Sequence, residues 1–235
     1  MLSLGLTKGS DYFLKNTFIL NLNRFLTEDD MFSNFSKSTR RNIRIAEKKG
    51  ILTHLYEYDN TNESNNESHV ETFLSIQRTT VKRHNFAVHP DDYYKTLFKV
   101  FKNNMIFLEA EYQGEIIASI VLFVWKDKCY YPYGASLHKY IETKSANLLL
   151  YTALKYAYNK KLSSFNFWGA LTNKNAMNEK NPLYGVHMFK KGYGGELNEY
   201  IGAYDLVINP YIYYGLNLLH RIRGIIRKWK RVLER

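Results

Sequence analysis

The chain has 235 residues, 45% of them hydrophobic and 23% charged, which fits a globular protein of one large or two small domains. A net charge of +11 predicts polyanionic partners, whether tRNA, nucleotide phosphates or an acidic membrane leaflet. One cysteine excludes an intramolecular disulfide and a cysteine-based zinc site. No segment has the apolar run of a secretory leader or a membrane span, so a cytoplasmic protein is expected.

Residues 17–22 read as a short strand, and Thr27-Glu-Asp-Asp30 opens a helix with acids in its first turn. A basic helix is predicted over 38–49, closed by Gly50, and a strand over 51–58. The run 59–68 has no apolar residue and reads as a mobile polar loop. Helices are predicted over 70–84 and 91–102, the second introduced by Pro90. Strands over 105–112, 115–125 and 128–134, joined by Gln113-Gly114 and Lys126-Asp127, make an antiparallel meander. Cys129 falls in the apolar part of the third and is expected to be a buried strand residue. A helix over 145–160 and a strand over 164–169 come next. A loop with Asn173, Asn175, Asn178 and Pro182, a short helix over 184–190, and strands over 196–200 and 202–208 follow.

The last helix is amphipathic. Leu218, Leu219, Ile222, Ile225, Ile226 and Trp229 recur at helical spacing, with Arg221, Arg223, Arg227, Lys228, Lys230 and Arg231 on the remaining faces. That pattern suits a helix on an anionic membrane, and equally one packed on its own domain with a tRNA-facing basic side. The expected organisation is an N-terminal extension with the basic helix (1–50), an α/β domain (51–210) and the C-terminal helix (211–235). The element order is that of the GNAT acyltransferase fold, which speaks to fold class and not to chemistry.

The chemistry-bearing stretch is Val186-His-Met-Phe-Lys-Lys-Gly-Tyr-Gly-Gly-Glu196. Two lysines run into a glycine-rich turn, where backbone can approach a ligand closely. Lys190 can oppose a developing oxyanion or hold a phosphate. Lys191 reads as a solvated neighbour or a phosphate contact. Tyr131 and Tyr133 stand two apart on a strand and are expected on one side of it. Arg83 can pair with a carboxylate or phosphate. Asn147, at the start of its helix, reads as an N-cap and a candidate site residue. The segment 142–147 lacks the glycine loop that wraps a coenzyme A pyrophosphate, which argues against that donor. The histidines at 54, 69, 84, 89, 138, 187 and 220 have no metal-ligand spacing, and no metal or cofactor is expected.

Six blocks carry a family resemblance: Ser36 to Ile51, Arg83-His-Asn-Phe86, Tyr130-Tyr-Pro-Tyr-Gly-Ala-Ser136, Ala146-Asn-Leu-Leu-Leu-Tyr151, Asn166-Phe-Trp-Gly169 and Phe189-Lys-Lys-Gly-Tyr-Gly-Gly195. In this order they resemble the C-terminal, GNAT-like domain of the FemABX family. Asn166 and Trp168 depart from the family's Asp-Phe-Gly-Gly. The family's first domain is expected to be absent.

The resemblance implies an aminoacyltransferase that takes an amino acid from aminoacyl-tRNA to an amine of a peptidoglycan precursor, UDP-MurNAc-pentapeptide or lipid II, at the inner membrane face. Lys190 would stabilise charge. Arg83, Tyr131, Tyr133, Asn147 and Lys191 would bind substrate. A coenzyme-A-dependent N-acyltransferase acting on a cell-surface sugar, or a non-catalytic half that needs a partner domain, are the alternatives.

Overall fold

Apolar residues run unbroken along the middle strands instead of alternating, so the sheet needs helices on both faces. The computed structural model describes residues 5–9, 15–58, 61–84, 89–172, 175 and 178–233, with backbone alone at 63, 80–84, 221, 225 and 227–233. In chain order the elements are β1 (Leu6–Lys8), β2 (Asn16–Asn21), α1 (Glu28–Ser33), α2 (Lys37–Lys48), β3 (Leu52–Glu57), α3 (Glu63–His84) and α4 (Asp91–Phe101). The meander follows as β4 (Met105–Tyr112), β5 (Glu115–Trp125) and β6 (Lys128–Ser136). The rest is α5 (Ser145–Asn159), β7 (Ser164–Ala170), α6 (Tyr184–Lys191), β8 (Glu196–Glu199), β9 (Tyr204–Leu206) and α7 (Pro210–Leu233).

These elements divide into two compact units, residues 14–200 and residues 1–13 with 201–235. The larger holds, among the described residues, a seven-stranded sheet in the order β3-β4-β5-β6-β7-β2-β8. Every neighbour pair is antiparallel except β6 with β7. One face, with Ile106, Leu108, Ala110, Ile120 and Leu122, packs on α2 and α5 through Ile43, Ala46, Leu149 and Leu150. The other, with Met105, Phe107, Val121 and Phe123, packs on α3 and α4 through Phe73, Leu74, Tyr94 and Phe98. The period of two along β4 and β5 sorts these side chains. The result is the mixed α/β, GNAT-like arrangement expected from the element order.

Three local rules are visible. The β4–β5 turn uses Gln113 and Gly114 at φ 54° and 79°, the positive values a two-residue hairpin turn needs. Thr27 and Asp30 exchange hydrogen bonds in a capping box that starts α1. Asn209 accepts from the amides of Tyr211 and Ile212, and Pro210 occupies the first helical position of α7.

The structure departs from expectation in three places. Helix α3 starts at Glu63, inside the run read as a loop, because the Asn62 side chain caps it by accepting from the Asn65 amide at 3.0 Å. A polar first turn needs no apolar residue once it is capped. The segment read as an extension (1–50) supplies β2, an inner strand between β7 and β8, and α2, which packs on α5, so both belong to the larger unit. The predicted strand over 202–208 shortens to β9, which pairs with β1 in a two-stranded ribbon of the smaller unit. There Tyr213 donates to Asp205 at 2.8 Å, while Tyr211, Ile212, Leu216, Leu218 and Leu219 of α7 remain exposed. Among the described residues no helix is long and apolar enough to cross a membrane.

The short β6–β7 pairing rests on Phe165, which is fully buried, opposes Cys129 and packs at a tilt on Phe167, ring centres 5.0 Å apart. Phe165→Ala is expected to destabilise the protein by about 3–5 kcal/mol. The check is a shift of the urea midpoint with an unchanged slope.

Candidate active site

The site begins where a ladder stops. β6 and β7 pair only at Lys128–Ser164, Cys129–Phe165 and Tyr130–Asn166. Beyond that, the second halves of both strands run on without pairing to each other. Lys190, near the end of α6, spans this gap. Its Nζ donates to the Gly169 carbonyl of β7 at 3.0 Å and lies 5.8 Å from the centre of the Tyr131 ring of β6. The Tyr131 hydroxyl in turn occupies the space a Cβ at position 134 would need, which accounts for Gly134 in the Tyr-Gly-Ala-Ser run.

Lys190 is 9% exposed, so it is not a solvated surface lysine. Burial alone lowers its pKa from 10.5 to about 8, with no carboxylate acting against it. The ammonium is therefore mostly charged at neutral pH, poorly hydrated, and has donor capacity beyond its one carbonyl partner. Such a group offers positive charge to an oxyanion at low reorganisation cost. Burial also pushes the Tyr131 phenol up, which keeps it neutral and able to donate.

Tyr193 was passed over in the sequence, although it sits inside the glycine run. It is fully buried, donates to the Asn147 carbonyl at 2.9 Å and packs on Phe35, Phe167 and Phe189. It thus ties the turn after α6 to the start of α5. The glycines around it allow this close packing. A Cβ at Gly192 would run into Thr39, and one at Gly194 into Asn34. Gly192 accepts from the Ser36 amide at 2.8 Å. The close approach read from the glycines is therefore made to the α1–α2 junction.

The remaining candidates separate. Asn147 is the third residue of α5, behind Lys144 at the cap position, so it is no N-cap; its side-chain amide lies 3.4 Å from the Tyr193 hydroxyl. Two of the first three amides of α5 are taken internally: Ser145 donates to Thr143, and Asn147 to the Lys144 carbonyl. Tyr133 faces away from Tyr131. A bulge sets Val121 opposite Tyr133 but Phe123 opposite Tyr130, leaving two residues against Leu122 and reversing the alternation. Tyr131 packs with the α2–α5 face, while Tyr133 meets Phe73, Tyr93 and Tyr94 on the α3–α4 face. Lys191 is exposed. The Arg83 side chain lies outside the described residues. His187, three residues before Lys190, is buried and accepts from the Leu171 amide at 3.2 Å, which binds α6 to the end of β7. Burial and the nearby Lys191 and Lys190 charges lower its pKa. Cys129 is buried, as expected, and its thiol is pushed up by burial. Among the described residues no cluster of His, Cys, Asp or Glu could hold a metal ion.

The two departures in the Asn-Phe-Trp-Gly block have a local explanation. Trp168 stands at φ 61°, where glycine is at ease and a bulky side chain is strained. Asn166 holds the backbone there: its side-chain oxygen accepts from the Trp168 amide at 2.8 Å and from the Thr17 hydroxyl at 2.6 Å. A carboxylate at 166 would accept the same two bonds, so its loss leaves this bulge intact. The indole, 43% exposed, meets the Tyr130 ring edge-on at 6.3 Å.

Because its pKa is lowered on folding, Lys190 binds its proton less readily in the native state. Charge burial therefore lowers stability below pH 8, by about 3 kcal/mol, and the penalty is relieved as pH rises towards 10.5. Lys190→Met is expected to unfold at higher urea than wild type at pH 7, with the margin shrinking between pH 8 and 10.5. Urea titrations across that range check both the sign and the window.

Comparison with known proteins agrees with this architecture. The FemAB family model matches residues 4–115 and 108–221. A lipid II:glycine glycyltransferase of Staphylococcus aureus strain USA300 is 29% identical over 135 residues, 57% of this chain and 31% of that protein. The chain thus spans about a third of that relative. The crystal structure of FemX superposes with a TM-score of 0.74 at 17% identity, covering 91% of this chain and 68% of that one. L-PGS from Bacillus licheniformis gives 0.54 at 14%, covering 95% and 69%. These two structural likenesses concern the fold alone. Because the family matches together span most of its length, the chain belongs to the FemAB family.

Proposed function

We propose that this chain is an acyltransferase that moves an amino acid from the ester of an aminoacyl-tRNA to an amine of a peptidoglycan precursor stem peptide, working at the inner face of the membrane. The observation that carries the reading is Lys190, a poorly hydrated cation spanning the gap between β6 and β7 with no carboxylate partner among the described residues. Family membership and the activity named for the S. aureus relative support the same direction.

The ester is already activated, so the reaction asks for alignment and charge stabilisation more than for acid–base machinery. The amine nitrogen attacks the ester carbonyl carbon, and the carbonyl electrons move onto oxygen. The tetrahedral intermediate then expels the ribose oxygen, which leaves with the proton given up by the amine. Lys190 would oppose the oxyanion. Tyr131, across the gap on β6, would hold the acceptor amine. Lys191 and Arg83 would contact substrate as well, whereas Tyr133 faces the α3–α4 side and the buried Asn147 would act only through Tyr193. The occupied amides at the start of α5 leave little for a pyrophosphate, which weighs against a coenzyme A donor.

The test is transfer of radiolabel from a charged bulk tRNA pool to UDP-MurNAc-pentapeptide or lipid II. Lys190→Ala is expected to lower the rate by about 10²–10³-fold, the usual loss for one oxyanion donor. Transfer to neither acceptor by well-folded wild-type protein would overturn the reading.

The pH dependence gives a second check. The neutral fraction of an alkylamine acceptor rises tenfold per pH unit below its pKa of about 10.4. Loss of the Lys190 proton near pH 8 offsets that rise. Wild-type rates should therefore climb below pH 8 and level above it. A climb continuing to pH 10 would remove the Lys190 cation from the reaction.

A further inference from the structure

Helix α2 carries a second cationic feature that the chemistry at Lys190 does not use. Lys37, Arg41, Arg44 and Lys48 are spaced four, three and four residues apart and are all exposed. At about 100° per residue they fall within a stripe roughly 60° wide and about 16 Å long. The opposite face, Thr39, Ile43 and Ala46, is buried. Arg40, off the stripe, is occupied in donating to the Ser33 and Phe35 carbonyls at 2.6 and 2.8 Å. The four stripe cations make no ion pair among the described residues; Arg44 lies 5.5 Å over the Phe32 ring, and Glu47 is the only acid in the helix. Like charges at this spacing oppose helix formation, so the row is not explained by the helix's own stability.

The row also has a direction. The amide of Ser36, the residue just before Lys37, donates to the Gly192 carbonyl two residues beyond Lys190, and Thr39 packs beneath the same glycine. The stripe therefore starts beside the turn that follows the buried lysine and runs away along α2. We propose that this row is the track for an RNA phosphate backbone whose 3′ end reaches Lys190, an inference that rests on the aminoacyl-tRNA reading. Its length suits several consecutive phosphates and exceeds what a single phosphate group fills. It offers little to a membrane: Ile43 and Ala46 of α2 face inwards and Ile45 is half-buried, so no exposed large apolar residue on α2 stands beside the cations.

Deacylated bulk tRNA is the probe, titrated against the full chain over a range of salt concentrations. Each of Lys37→Gln, Arg41→Gln and Lys48→Gln is expected to weaken binding and to reduce the slope of log K against log salt by about 0.7–0.9. Lys99→Gln, an exposed lysine on α4, serves as control and keeps the wild-type slope. Wild-type slopes in all three α2 variants would overturn the track. So would α2 variants that lose binding to phosphatidylglycerol vesicles but not to tRNA. Label transfer by the same variants separates the two readings. Continued transfer with unaltered tRNA slopes sinks the α2 track alone, while reduced slopes without any transfer by wild type sink the transferase reading and leave an RNA-binding surface.

Discussion

The site depends on a parallel pairing that is only three residues long. β6 and β7 must register at Lys128–Ser164 to bring the two strands side by side, and must stop at Tyr130–Asn166 to leave room between them. A longer ladder would close the gap, and a weaker one would let the two sides of the sheet drift. Lys190 makes use of the interruption. It donates to the Gly169 carbonyl of β7, and it lies by the Tyr131 ring across the gap.

Holding a lysine there is unfavourable, and several contacts offset it. Tyr193 connects the turn after α6 to the α5 backbone, and His187 connects α6 to the end of β7. Gly192 and Gly194 let the turn lie directly on the α1–α2 junction. These three attachments lead to different elements, so the position of Lys190 is determined by the packing of the whole α2–α5 face. A buried charge kept in place against its own solvation is what a functional site looks like when stability and activity pull apart.

Much of this could be read from residues alone. The meander was legible because its strands are apolar runs closed by Gln-Gly and Lys-Asp turns, and the short helix before the glycine run was legible from its spacing. The capped but polar start of α3 was hidden, since one Asn side chain replaced the apolar signal. Tyr133 was placed on the wrong face because a bulge is a backbone irregularity with no trace in a period of two. The burial of Lys190 could not be seen either: a Lys-Lys pair before a glycine looks solvated until the interrupted ladder is known. The glycines were read as a place where backbone meets a ligand; what they meet in the fold is the α1–α2 junction, far away in sequence. Within the ribbon, β9 fell inside the predicted strand over 202–208, whereas β1 is too short to leave any pattern.

The lone cysteine gives the protein an internal reporter. Cys129 sits in the middle pair of the parallel seam, opposite Phe165, fully buried and with its thiol held in the unreactive protonated form. A thiol reagent therefore has one target and meets it only when the seam parts. The labelling rate in the resting protein measures how often β6 and β7 separate, and a ligand that wedges the open ends apart would change that rate at a point it does not touch.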